Sequence, residues 1–405
     1  MTKEILTLIK IVDKKNCCGC TACYSICPKN CISMKEDEEG FLYPFIDETS
    51  CIGCNLCESV CPILNKKEEN PFYQEAYVAQ HKDEKILRES TAGGAFTAIA
   101  EYVISQKGVV FGASMTKEFV VKHTYVEDVE GLALFRNSKY VQSDLNDTFK
   151  KCKDFLNSGR LVLYSGTPCQ IEGLKSFLIR EYENLITVDV VCHGVPSPLI
   201  FRKYLEHLES TLGAKVKDIK FRDKHYGYKF STMNVITETN NGDYHRGLES
   251  DPFMMAFFRD MCDRPTCYDC PFKKRYRVSD FTIWDCFVVN RFSSKLDNDK
   301  GATRVLVHTE NGRKLFNNAK DRLNFVKTSP DTLTKGVKEM FHSVDKNAVR
   351  DSFLADANQL DGRKLIEKYF PYDMIVKVKR FVRMSLYHTG LYGVAKKIYQ
   401  FLIRG

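Results

Sequence analysis

The chain has 405 residues, 43% hydrophobic and 28% charged, with a formal net charge of +8, a balance that suits two or three globular domains. It holds no run of eighteen apolar residues, which argues against a spanning helix, and "MTKEILTLIKIVDKKNCC" lacks the cleavage site of a signal peptide. Seventeen cysteines in such a chain speak against a disulfide framework and for metal or redox chemistry in a reducing, cytoplasmic compartment.

The first element is a repeated cassette. "CCGCTACYSICP" (17–28) and "CIGCNLCESVCP" (51–62) agree at seven of twelve positions with an offset of 34. Both follow C-x2-C-x2-C-x3-C-P, in which three close thiolates wrap one corner of a cubane and the cysteine before proline reaches the other cluster. The spacing predicts one [4Fe-4S] cluster on Cys17, Cys20, Cys23 and Cys61, and a second on Cys51, Cys54, Cys57 and Cys27. Gly19 and Gly53 let the backbone turn closely around the sulfurs. Structural zinc also uses CxxC pairs, but a doubled three-cysteine loop ending in CP is poor zinc geometry. Cys18 and Cys31 fall outside the frame and read as packed thiols.

After a charged linker, "NKKEENP" (65–71), the pattern alternates between strands and helices. Strands are expected over 108–115, 119–127, 160–166 and 185–191, and helices over 147–159, 171–179 and 197–210. Residues 231–247 read as a hairpin turning at Asn241-Gly242. The fold class is therefore α+β or α/β with some parallel strands. Three loops stand out: "RESTAGGAF" (88–96) opening a helix, and "YSGTPCQIEGL" (164–174) and "VVCHGVPSPL" (190–199) at strand ends, where ligands bind in open sheets. The neighbours Cys192 and His193 point apart on a strand or loop, so a Cys–His dyad is not expected there. "CDRPTCYDCPF" supplies Cys262, Cys267 and Cys270 as candidate ligands of a third cluster, with Cys169, Cys192 or Cys286 as a fourth; zinc remains the alternative.

"STAGGAF", "SKYVQS", "GTPCQI", "CHGVPS", "FRDK" and "RPTCYDCPF…SDFTIWD", in this order, resemble the beta subunit of coenzyme F420 hydrogenase/dehydrogenase, over about residues 75–310. A bacterial dicluster ferredoxin is fused ahead of it. The resemblance implies a mixed-sheet domain that binds FAD and passes electrons between iron–sulfur clusters and a hydride acceptor; use of coenzyme F420 stays open. Some relatives are associated with surface-polysaccharide synthesis. By motif, the flavin contacts would be Ser90, Thr91, Gly93 and Gly94, then Lys139 and Tyr140, then Gly166, Thr167 and Pro168. The chain departs from the family pattern at Trp284-Asp285-Cys286, which bears on the substrate pocket.

The domains expected are a 2[4Fe-4S] ferredoxin module over 1–66, a flavin domain over 72–310, a helical and strand extension over 311–373 and a basic amphipathic tail over 374–405. The function expected is an oxidoreductase that takes electrons from ferredoxin through two clusters to a flavin, which reduces a small organic substrate. The alternative is an electron-transfer subunit of a hydrogenase or dehydrogenase complex without its own substrate. No nucleic-acid module is recognisable. The tail has seven cations and no acid after Asp373, as in helices that lie on the anionic inner face of a membrane; a packed helix pair with a solvated basic face is equally consistent.

Overall fold

The structure is a computed structural model that describes residues 13–239, 244–371, 373–396 and 398. The cassettes flank a small antiparallel pair, β1 (Ile32–Glu36) and β2 (Leu42–Ile46). The main sheet contains β3 (Glu75–His81), β4 (Val109–Met115), β5 (Val121–Val126), β6 (Val162–Gly166) and β7 (Leu185–Val190). A separate antiparallel ribbon is built from β8 (Val216–Asp223), β9 (Thr232–Thr237) and β10 (Tyr244–Arg246). The main sheet is completed by β11 (Phe281–Asp285), β12 (Thr303–Val307) and β13 (Leu323–Thr328), in the order β13-β3-β12-β11-β7-β6-β4-β5.

Strands β4, β6, β7 and β11 are mutually parallel, while β5, β12, β3 and β13 join antiparallel. The parallel block is Val- and Ile-rich because helices cover both faces, so alternate residues enter different cores. Val110, Leu163 and Ile186 pack on one side, and Phe111, Val162, Tyr164 and Leu185 on the other. All the strands and helices expected between 108 and 210 form close to the expected bounds. The β9–β10 hairpin forms too, with its turn at Asn241-Gly242 outside the described residues. The sheet runs past residue 310, since β13 is its edge strand beside β3.

The ferredoxin module shares a core with the sheet. Cys18, Ala22, Val60 and Ile63 pack in the same apolar cluster as Phe111, Tyr164 and Leu174. Arg264 pins the junction: its guanidinium donates to Cys17 O (2.7 Å), Gln142 Oε1 (2.8 Å) and Leu42 O (3.0 Å) and lies 4.1 Å from the Tyr43 ring. Thr266 Oγ1 adds bonds to Lys15 O (2.8 Å) and Cys17 O (2.7 Å), and Arg350 pairs both oxygens of Glu39 at 2.9 and 2.7 Å. Truncation by Arg264→Ala leaves buried carbonyls without donors, at about 3 kcal/mol. Limited proteolysis of the 65–71 linker is expected to accelerate in that variant; an unchanged cleavage rate would show that Arg264 does not hold the module.

Two buried histidines tie stability to pH. Burial pushes His123 down to about 4 and His308 to about 3. His308 accepts from Gln74 Nε2 at Nδ1 (2.9 Å), and its Nε2 lies 2.7 Å from Thr282 Oγ1, which donates to Asp189 Oδ1 at 2.6 Å. Both pKa values lie below that of an unfolded histidine, so the unfolded chain binds more protons below about pH 6.5 and stability falls as pH falls. The loss is about 2 kcal/mol per group at pH 5. The thermal midpoint should drop between pH 7 and 5, and His308→Gln should shrink that drop; an equal drop in the variant refutes the assignment.

Candidate functional site: a line of cysteines leading to a cavity

The repeat is visible in the backbone. Gly19 (φ +72°) and Thr21 (φ 60°) are matched, 34 residues on, by Gly53 (φ +67°) and Asn55 (φ 56°). Each left-handed pair curls one three-cysteine loop, the conformation glycine adopts most cheaply. Cys23 lies within electrostatic reach of Cys17 and Cys61, and Cys20 within reach of Cys23 and Cys17. Cys27, Cys51, Cys54 and Cys57 line one small cavity. Eight thiols gathered in these two neighbourhoods are the donor chemistry that two cubanes use. Cys31 is closer to the chemistry than expected, its Sγ 3.3 Å from that of Cys27.

A third gathering of thiols lies at the strand-end loops. Cys169, Cys192, Cys267 and Cys270 line a second small cavity together with Cys18, Arg264, Lys273 and Arg277. Cys169 sits at the start of the Pro168–Leu178 helix, whose cap pairs Thr167 N–H with Gln170 Oε1 at 2.9 Å. Cys267 and Cys270 come from the short turn after Arg264. Burial, then the charges of neighbouring thiols among other groups, push Cys192 up to about 12 and Cys270 up to about 11. Protonated, four clustered thiols gain nothing from each other; the donor set fits a cluster whose iron takes the place of the protons. Lys273 donates to Cys192 O (2.5 Å) and His193 O (3.0 Å), holding the loop and bringing a cation beside the sulfurs.

Two candidates for that site are corrected. Cys262 is fully buried in a different apolar cluster, with Phe201, Tyr204 and Phe253, and its carbonyl accepts from Ser197 N–H at 2.9 Å. Cys286 is buried with Val289 and Leu306 in a further apolar cluster. Cys262 is five residues from Cys267, and the intervening turn carries its side chain away. His193 makes no dyad with Cys192: its Nε2 lies 2.8 Å from Asp260 Oδ1.

Above the same strand ends opens a cavity of about 740 Å3, within the range of small-molecule and cofactor sites. Ser90, Thr91 and Gly94 line it, as do Lys139, Tyr140, Gly166 and Thr167. The Ala95–Ser105 helix begins on its wall, presenting the amide-rich helix start that suits phosphate. Lys139 donates to Leu134 O (2.6 Å) and Arg136 O (3.0 Å), and burial pushes it down to about 7. Two of the expected contacts face elsewhere. A side chain at Gly93 would meet Ala79 O at 2.2 Å and Thr303 N at 2.6 Å, so Gly93 serves sheet packing. Pro168 belongs to the cysteine cavity.

Sequence reasoning missed other wall residues. Arg222, from "FRDK", reaches Ser231 Oγ (2.5 Å), Tyr140 Oη (3.0 Å) and Asp285 (3.4 Å), and Tyr228 Oη donates to Asp285 at 2.8 Å. His123 Nδ1 and Trp284 Nε1 are buried without a hydrogen-bond partner, and both residues line the cavity. Each leaves a hydrogen-bonding valence on the cavity wall that a ligand's polar edge would fill. The segment Cys192–Val195 lines both cavities, so one wall divides the thiols from the larger space.

A dicluster module packed on a mixed sheet, with thiols and a cavity at its strand ends, defines an iron–sulfur protein of the electron-transfer type. Residues 159–332 match the family described as the C terminus of the coenzyme F420 hydrogenase/dehydrogenase beta subunit, and residues 16–64 match the family described as a 4Fe-4S dicluster domain. Among solved structures, one chain of the F420-reducing [NiFe] hydrogenase complex from Methanosarcina barkeri is similar at 18% identity and a TM-score of 0.45, covering 76% of this chain and 97% of that one. No curated protein matches the chain. No described helix is long and apolar enough to cross a membrane.

Proposed function

We propose that the chain is an iron–sulfur flavoprotein oxidoreductase that takes electrons from a ferredoxin and delivers them, by way of a flavin, to a small organic substrate. The observation that carries this reading is the shared wall at Cys192–Val195, with the thiols of Cys169, Cys192, Cys267 and Cys270 on one side and the large cavity on the other. The Cys17 group joins that line because a side chain at Gly173, in the helix that starts at Cys169, would meet Cys20 Sγ at 2.8 Å. Three clusters would carry electrons singly, and FAD would pair them for hydride transfer. Thr91, Gly94, Lys139 and the helix start would hold the phosphates, while Trp284 Nε1 and His123 Nδ1 would meet polar edges of the ring.

The substrate is an open choice among small organic acceptors. A sugar intermediate of surface-polysaccharide synthesis follows from the resemblance, and coenzyme F420 is the other acceptor to offer. The second reading, a beta subunit that only relays electrons within a complex, is favoured by the family match over 159–332. Turnover of the purified chain without a partner would decide for the enzyme.

The test is stopped-flow reduction under anaerobic conditions. Reduced ferredoxin is expected to bleach both iron–sulfur and flavin absorbance. Cys54→Ser, which removes a ligand of the outer cluster, should slow flavin reduction by ferredoxin at least about tenfold and leave direct chemical reduction of the flavin unchanged. Equal rates in parent and variant would take the dicluster module out of the path.

A further inference from the structure

The Met374–His388 helix has two faces of different character. Met374, Ile375, Val378, Phe381 and Val382 are 64, 66, 57, 65 and 49% exposed. At 100° per residue they fall within a single arc of about 120°. Val376, Arg383 and Met384 are less exposed and occupy the other side. That other side is tied to the body: Arg383 pairs with Glu249 at 2.9 Å and lies 3.7 Å from the Phe230 ring, and the Tyr387 ring lies tilted against His225 at 4.0 Å. After the turn at Gly390, Lys396 reaches Asp299 (2.6 Å) and Tyr226 O (2.7 Å), while Leu391, Val394 and Ile398 remain exposed.

A helix anchored by its polar side and apolar on the outward side needs something to cover it. The charge says what. Lys377 and Lys379 flank the apolar arc on its two edges, and no acidic residue follows Asp373 in the sequence. An apolar stripe bordered only by cations matches a surface that is negative in its headgroups and hydrocarbon beneath. The geometry points to an anionic lipid surface as the occupant, with the Met374–His388 helix lying flat in the interface. Phe230 and Glu249, which hold the helix, also line the 740 Å3 cavity, so the docked surface lies beside that cavity.

The experiment is sedimentation of the full chain with vesicles. The parent should bind phosphatidylglycerol–phosphatidylcholine vesicles, bind pure phosphatidylcholine at least about tenfold less, and lose binding as salt is raised. Val378→Asp/Phe381→Asp should reduce binding to the anionic vesicles at least about tenfold, and Lys377→Gln/Lys379→Gln should reduce it less. These side chains are exposed, so iron content and circular dichroism should match the parent. Unaltered binding by the aspartate variant, or no binding by the parent, overturns the proposal. So does a parent dimer that the aspartate variant splits without any vesicle binding, since a second copy then covers the stripe. Loss of vesicle binding with flavin and clusters intact would leave the redox reading standing.

Discussion

Anaerobic reconstitution of the full chain is expected to yield about twelve irons, and Cys192→Ser or Cys267→Ser about eight, because each removes one of four ligands of the third cluster. Cys262→Ser is the control: its side chain lies in the core around Phe253, so the iron count should stay near twelve while stability falls. A parent that saturates at about eight irons assigns the third group to zinc or to structure. A Cys262 variant that drops to eight would contradict the ligand set of Cys169, Cys192, Cys267 and Cys270.

The flavin is expected to leave when the cavity is filled. Ala113, on β4, lines the cavity, and Ala113→Trp adds bulk where the cofactor would lie. Flavin content should fall from about one per chain to below about 0.1, with iron unchanged. Gly93→Val is the less clean probe, because its first added carbon would already meet the β3 backbone at 2.2 Å. Binding of a phosphate-bearing flavin should also take up a proton between about pH 7 and 10, since burial holds free Lys139 near 7 and a phosphate restores its charged form. Iron-loaded parent protein that binds neither FAD nor FMN would falsify the flavin reading and leave the electron-relay alternative.

The sequence by itself determined whatever is local. The two cluster cassettes could be read from spacing because three cysteines within seven residues must share one loop. The strands at 108–115, 160–166 and 185–191 could be read because a parallel sheet buried on both faces demands unbroken apolar runs. Tertiary structure decided the third thiol group and the cavity. Cys169, Cys192 and the Cys267/Cys270 pair lie on three loops far apart in sequence. Cys169 and Cys192 meet because β6 and β7 are adjacent and parallel, which brings their C-terminal ends to one edge. Cys267 and Cys270, which precede β11, reach them through the pairing of Pro196 with Asp263 and the bonds of Lys273 to Cys192 O and His193 O. Nearness in sequence to Cys267 did not bring Cys262 to that cavity: its thiol is packed in the apolar core around Phe253. Arg222 and His123 entered the cavity wall unannounced, because strand order, which no single segment encodes, sets which side chains face one another.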